Sequence, residues 1–181
     1  MTVLKGMFVG LRSVTENDAE FILKIRTDEK LAKFLNKTSP DIELQKTWIR
    51  GQIARDGDYY FIIEDLKSGN PLGCISIYDI VEKSGEFGRW ISIGNSLQNI
   101  ESCILLYDFA FEKGLDFVDS FTDMKNSNIV NFHKSFGAVF VKELASGEYK
   151  NNSSNFAQYR MTKEHYQEVR ESKITLLKNF L

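Results

Sequence analysis

Three stretches of this sequence hold the side chains best suited to chemistry: EFGRWISI at 86–93, GNSLQNIES at 94–102 and NSNIVNFHKSFG at 126–137. Glu86 opens the first, and a carboxylate there either takes up a proton or sits solvated on a strand. Arg89 carries the planar fork that grips a carboxylate or a phosphate, and is otherwise an exposed structural arginine. His133 changes charge near neutral pH when unperturbed, so it either gives up a proton or packs as an imidazole on a helix. The run 94–99 interrupts an extended segment and leads into helical periodicity. Unpaired backbone N–H groups and a helix dipole face one point in such a place, which makes it a general anion site. Asn99 is a good N-cap for that helix. Glu101, in the first turn, would oppose an anion if it faced inward.

These groups need a strand, loop, helix, strand and helix to hold them. Alternation in EFGRWISI puts Phe87, Arg89, Ile91 and Ile93 on one face and Glu86, Gly88, Trp90 and Ser92 on the other. Ile100, Ile104, Leu105, Tyr107, Phe109 and Phe111 then recur at helical spacing, with an end near Lys113 and Gly114. FVDSFTDM reads as a strand, and 126–136 as a helix closed by Gly137 before the strand AVFVKE. Upstream, FVGLRSV predicts the first strand. A helix starting near Thr15 to Asp18 carries Phe21, Ile22, Ile25 and Leu31 inward, and another begins around Ser39, Pro40 and Asp41 with Leu44, Trp48 and Ile53 on one side. YYFIIED, PLGCISIYDI and EFGRWISI read as an antiparallel meander, with KSGN as a turn. FAQYRMT makes the last strand, and the tail from Lys163 onward is helical, with His165 on the surface near its start.

The composition sets limits on function. The length of 181 residues suits one domain, and 43% hydrophobic with 27% charged residues is ordinary for a globular chain. A net charge of −2 argues against general nucleic-acid binding. No apolar run approaches the ~20 residues that span a bilayer, and MTVLKGMFVGL lacks a signal peptide's apolar segment, so a cytoplasmic location with no membrane partner is expected. Cys74 and Cys103 fall inside apolar patterns and read as buried free thiols; with two histidines and no clustered ligands, no metal is expected.

Several of these segments are similar to the GNAT superfamily of N-acetyltransferases over most of the chain. Glu86 in EFGRWI resembles the glutamate that opens the central strand in the ribosomal-protein N-terminal acetyltransferase branch. Glu101 and YDFAFEKGL resemble that branch's helix. NSNIVNFHKSFGAV resembles the family's asparagine, helix, lysine and glycine ending, with His133 in the place of a frequent tyrosine. The family's acyl-CoA loop usually begins with Gln or Arg and contains two small residues that let its backbone approach the pyrophosphate. Here the loop is shorter, and Leu97 and Asn99 stand where small residues would be.

The resemblance implies an α/β (α+β) fold, with a mixed, mostly antiparallel central sheet flanked by helices on both faces. It also implies acetyl-CoA as acetyl donor and direct transfer to a small-molecule amine acceptor by a monomer or homodimer. An amine attacks a thioester only when neutral, so Glu86 becomes the candidate base and His133 the candidate donor to the departing thiolate. A backbone N–H among Ile91, Ser92 and Ile93 would hold the thioester carbonyl, and pantetheine would pair with this strand where it splays from FVDSFTD. Asn99, Ile100 and Ser102 would lie along the coenzyme, and Asn126 would bond the pantetheine arm or cap its helix. Arg89 and Trp48 would meet the acceptor, Trp48 being otherwise a packing residue. The acceptor is expected to be an amino sugar, nucleotide-linked, with a peptide N-terminus as the alternative. The reworked loop also leaves a non-catalytic GNAT-like binding domain open.

Overall fold

FVGLRSV predicts a single opening strand, whereas the computed structural model, which describes residues 3–181, has a hairpin there: β1 (Val3–Lys5) turns into β2 (Val9–Ser13). The turn is held from far along the chain. The buried carboxylate of Glu101 accepts the N–H groups of Met7, Phe8 and Val9 at 2.5, 2.6 and 2.7 Å. Glu101 therefore faces this hairpin, and the expected conflict with an anion at its own helix start does not arise.

The meander follows the sequence pattern, with β3 (Tyr59–Asp65), β4 (Pro71–Val81) and β5 (Ser84–Ser92) paired antiparallel in succession. Pro71 is the first residue of its strand, as a residue without an N–H should be. β6 (Phe117–Asp123), β7 (Val139–Leu144) and β8 (Phe156–Thr162) complete an eight-stranded sheet of order β1-β2-β3-β4-β5-β6-β8-β7. Every pairing is antiparallel except that of β5 with β6.

Helices cover both faces. On one, α1 (Ala19–Arg26) and α2 (Ile42–Ile53) bring Ile22, Ile25 and Ile49 onto Tyr60, Ile62, Cys74 and Ile91. On the other, α3 (Ser96–Glu112), α4 (Ser127–Phe136) and α5 (Lys163–Lys178) close over a larger core that includes Phe61, Phe87, Leu106, Tyr107, Phe136 and Tyr159. Gly137 ends α4 at φ 116°, a left-handed conformation; a Cβ there would also stand 2.8 Å from Val169 Cγ2. His165 is half-buried instead of on the surface, because its Nε2 bonds the Gly137 carbonyl at 2.8 Å. Both cysteines are buried free thiols, and burial pushes Cys74 up to about 11.

Two helix readings are corrected. Leu31 lies beyond α1 and is exposed. α2 is rotated from the expected orientation: Leu44 and Ile53 are 58% and 57% exposed, while Gln45, Ile49 and Gln52 face inward. Counting apolar residues selects the wrong stripe because Gln52 is satisfied inside, its amide donating to the Asp58 carbonyl at 2.7 Å. No helix among the described residues is long and apolar enough to cross a membrane.

Glu101→Gln is expected to lower unfolding free energy by about 2 kcal/mol, since a neutral amide cannot accept three N–H groups and turns its own N–H toward them. Urea denaturation followed by circular dichroism measures this, and an unchanged midpoint would show that the hairpin does not depend on the carboxylate.

Candidate active site

The site begins where the sheet opens. β5 stays in register with β6 only from Ser84 opposite Phe117 to Phe87 opposite Ser120. Beyond that point β5 bulges. Cys74 faces Ile91 while Ser76 faces Gly88, so β5 carries one residue more than β4, and Arg89 takes φ 49°, uncommon for a non-glycine residue. The bulge breaks the expected alternation. Phe87 and Trp90 now pack together on the α3 side with ring centroids 5.7 Å apart, while Ile91 joins the α1–α2 core.

A cavity of about 570 Å³ opens beside this bulge, with Glu86, Arg89, Trp48, Asn126 and His133 in its wall. The structure thus brings together residues from three separate stretches of the sequence, around 48, 86–89 and 126–133. Glu86 is 7% exposed, and its Oε1 accepts the Tyr78 hydroxyl and, at 2.5 Å, the Tyr149 hydroxyl; its Oε2 lies 3.0 Å from Lys150 Nζ. Burial and the adjoining carboxylate push both phenols well above the usual tyrosine range, so they remain donors. Lys150 also meets Asp79 at 2.8 Å. Sequence reading missed Tyr149 and Lys150, which lie in the polar loop between β7 and β8. Their only signal was a tyrosine and a lysine together in GEYKNNSSN.

Arg89 is not free to bind a phosphate. Its two terminal nitrogens reach the Asp58 carboxylate at 2.5 and 2.9 Å, and its guanidinium lies 4.1 Å from the Tyr78 ring and 5.2 Å from that of Trp48. Asp58 neutralises the charge, and the planar group braces the aromatic wall. Trp48, 36% exposed, packs edge-on against Tyr60 at 5.7 Å and still presents area to the cavity. His133 is 3% exposed, set edge-on to Phe87 and stacked on Tyr159, each at 5.5 Å. Burial lowers its pKa to about 4, so the imidazole is neutral at pH 7 instead of poised to titrate there.

The loop after β5 differs from its expected form. Helix α3 begins at Ser96, and its N-cap is Asn95, which forms a capping box with Gln98; Asn99 lies inside the helix and donates to the Gly94 carbonyl at 3.1 Å. Ser102 is fully buried with its hydroxyl on the Asn99 carbonyl, and Ile100 packs against the main core, so these side chains point inward. The Ile93 N–H is also taken, by the Leu72 carbonyl at 2.8 Å. Antiparallel alternation then turns the Ser92 N–H to the opposite edge, which β6 leaves uncovered.

Several groups suit an acyl-CoA. Trp90 Nε1 and Ser120 Oγ are buried in the cavity wall without partners among the described residues, next to the open edge of β5. A ligand arm bearing amide and carbonyl groups would satisfy them. At the α3 start the N–H groups of Ser96 and Leu97 remain unbonded, and no acidic residue occupies the first turn. Asn126 both lines the cavity and caps α4, accepting the Ile129 N–H at 3.4 Å. No group of metal-ligating side chains is found among the described residues.

Comparison with known proteins identifies the family and the fold. The family model of the acetyltransferase (GNAT) domain matches residues 9–139, and the chain belongs to that family. Its fold is the GNAT fold. Apo FdhC, a nucleotide-linked sugar GNAT, superimposes with a TM-score of 0.81 and 29% identity, covering 97% of this chain and 98% of its own. The ribosomal-protein-S5-alanine acetyltransferase of Vibrio fischeri gives 0.76 at 15% identity over 91% and 98% of the two chains. A spermidine N-acetyltransferase SpeG variant from Vibrio cholerae gives 0.73 at 15% over 87% and 95%. No curated protein matches by sequence.

The depressed pKa of His133 has a signed consequence for stability. Below pH 6.5 the unfolded chain binds a proton that native His133 refuses until about pH 4, so this group's contribution is present at neutral pH and is lost as pH falls through that window. His133→Phe is expected to flatten the acid decline between pH 6.5 and 4 by roughly 3 kcal/mol, read from urea denaturation at stepped pH. An unaltered pH slope would show that the histidine is not held neutral.

Proposed function

We propose that this chain transfers the acetyl group of acetyl-CoA to the primary amine of a nucleotide-linked amino sugar. The observation that carries the reading is the near full-length similarity, at 29% identity, to a nucleotide-linked sugar GNAT, together with a cavity of a size that takes a large polar acceptor. Bound acetyl-CoA supplies an activated acyl thioester. The open edge of β5 at Ser92, with Trp90 Nε1, Ser120 Oγ and Asn126, would hold its arm, and the free N–H groups of Ser96 and Leu97 its phosphates.

Glu86 is the group proposed to receive the amine proton. Tyr78 and Tyr149 both donate to Oε1 and fix the plane of the carboxylate, which leaves Oε2, 3.0 Å from Lys150 Nζ, as the oxygen to meet an incoming ammonium. A carboxylate holding an ammonium both orients it and accepts its proton, the two services that acyl transfer to an amine requires. His133, being neutral, serves as an N–H donor to the departing sulfur and not as an imidazolium acid. Trp48 contributes apolar area to the acceptor side, and Arg89 acts by bracing Tyr78 and Trp48.

Glu86→Gln is expected to lower kcat by about 100-fold or more while leaving the Kd of acetyl-CoA within about twofold, because the base acts on the amine. Equal turnover of the variant and the natural chain across pH would remove Glu86 from the mechanism. The acceptor is tested by release of free coenzyme A thiol with UDP- and dTDP-amino sugars, spermidine and short peptides. Turnover of the nucleotide sugars is expected, and turnover of peptides or spermidine alone would overturn the reading. Failure to bind acetyl-CoA at millimolar concentration would instead mark a non-catalytic domain.

A further inference from the structure

The charges around the cavity do not cancel, and the excess is localised. Of the cations in its wall, Arg89 is neutralised by Asp58, and Lys150 by Glu86 and Asp79. Arg26 and Lys37 have no carboxylate partner among the described residues. Arg26, the last residue of α1, donates from Nε to Thr38 Oγ1 at 2.9 Å and from a terminal nitrogen to the Asn36 carbonyl at 3.5 Å, which ties it to the segment that carries Lys37. The unpaired carboxylate of the wall, Asp123, stands at the end of β6 and turns back to accept the Lys125 N–H at 2.9 Å.

The contacts also give an order. Glu86 touches Tyr78, Tyr78 lies under Arg89, and Arg89 spans to Trp48 and Tyr60 at 5.2 and 5.7 Å. Arg26 lies close enough to Tyr60 for its charge to act on the phenol. The contacts thus run from the carboxylate through the aromatic wall to Arg26, and through its bonds to Asn36 and Thr38 to the segment of Lys37. Gln45 on α2 also lines the cavity, and its side-chain amide has no hydrogen-bond partner among the described residues. Such an amide offers a ligand both a donor and an acceptor.

We propose that Arg26, Lys37 and Gln45 form the subsite for the acceptor's nucleoside diphosphate, with the two cations on the diphosphate and the Gln45 amide on the nucleoside. Two cations without carboxylate partners match the two charges of a diphosphate diester. The phosphate recognition that Arg89 was expected to perform passes to this pair. The inference rests on the amino-sugar reading above and names the part of the acceptor that the cavity selects.

The test uses the full chain with a UDP- or dTDP-amino sugar that it acetylates. Arg26→Gln combined with Lys37→Gln is expected to raise the KM for this acceptor by about tenfold or more, with kcat within about threefold and the acetyl-CoA KM unchanged. The penalty should shrink as salt is added. Gln45→Leu should raise the same KM severalfold. On the natural chain, UDP or dTDP is expected to inhibit competitively with the acceptor, and uridine or thymidine to inhibit far less. That measurement needs no variant, and Lys37→Gln, at an exposed position, serves if the double variant does not fold. Nucleotide sugars acetylated with an unchanged KM in the folded double variant, or inhibition by uridine equal to that by UDP, would overturn the subsite and leave the acceptor reading standing. Acetylation of peptides or spermidine alone, with no inhibition by either diphosphate, would overturn both.

Discussion

The parting of β5 from β6 is the constraint on which the rest of the site depends. Four paired residues hold the two strands together, and then an extra residue in β5 and a left-handed Arg89 bend the strand away. A parallel pair that ends in mid-sheet leaves backbone N–H groups facing a gap, and unpaired groups in a buried place call for a ligand. The same bulge puts Trp90 beside Phe87 and aims Arg89 at Trp48 and Tyr78, so one local irregularity sets the cofactor edge and the acceptor wall together.

Around that opening, charge is arranged so that most groups are matched. A buried carboxylate is costly unless bonded, and Glu86 has two phenols and an ammonium around it. Arg89 has Asp58 in bidentate contact, the geometry in which a guanidinium is most fully satisfied. Glu101 shows the same rule used for structure: it lies at a place in sequence where a phosphate-facing acid would be harmful, and it is spent on three backbone N–H groups of the opening hairpin. Against that background Arg26 and Lys37 are the cations of the wall that have no carboxylate partner among the described residues.

Tyr149 and Lys150 come from a loop whose backbone takes positive φ at Lys150 and Asn151, 47° and 56°. Non-glycine residues in that region cost free energy, which the contacts to Glu86 and Asp79 offset. The loop thus closes one side of the cavity by gripping the carboxylate proposed to act as base.

The amino-acid sequence by itself determined the order of strands and helices from residue 59 onward, the closure of α4 at Gly137, the burial of both cysteines and the membership suggested by the Glu86, Glu101 and Asn126 segments. These rest on local periodicity, turn chemistry and short motifs, which act over a few residues and can be read there. Only the tertiary structure decided the bulge at Arg89, the face of α2, the shift of the α3 cap from Asn99 to Asn95, the neutral state of His133 and the arrival of Tyr149 and Lys150 at Glu86. Each depends on groups far apart in the chain. A face is chosen by which polar side chains find partners inside, and a pKa by what surrounds the group, so neither is written in the spacing of neighbouring residues.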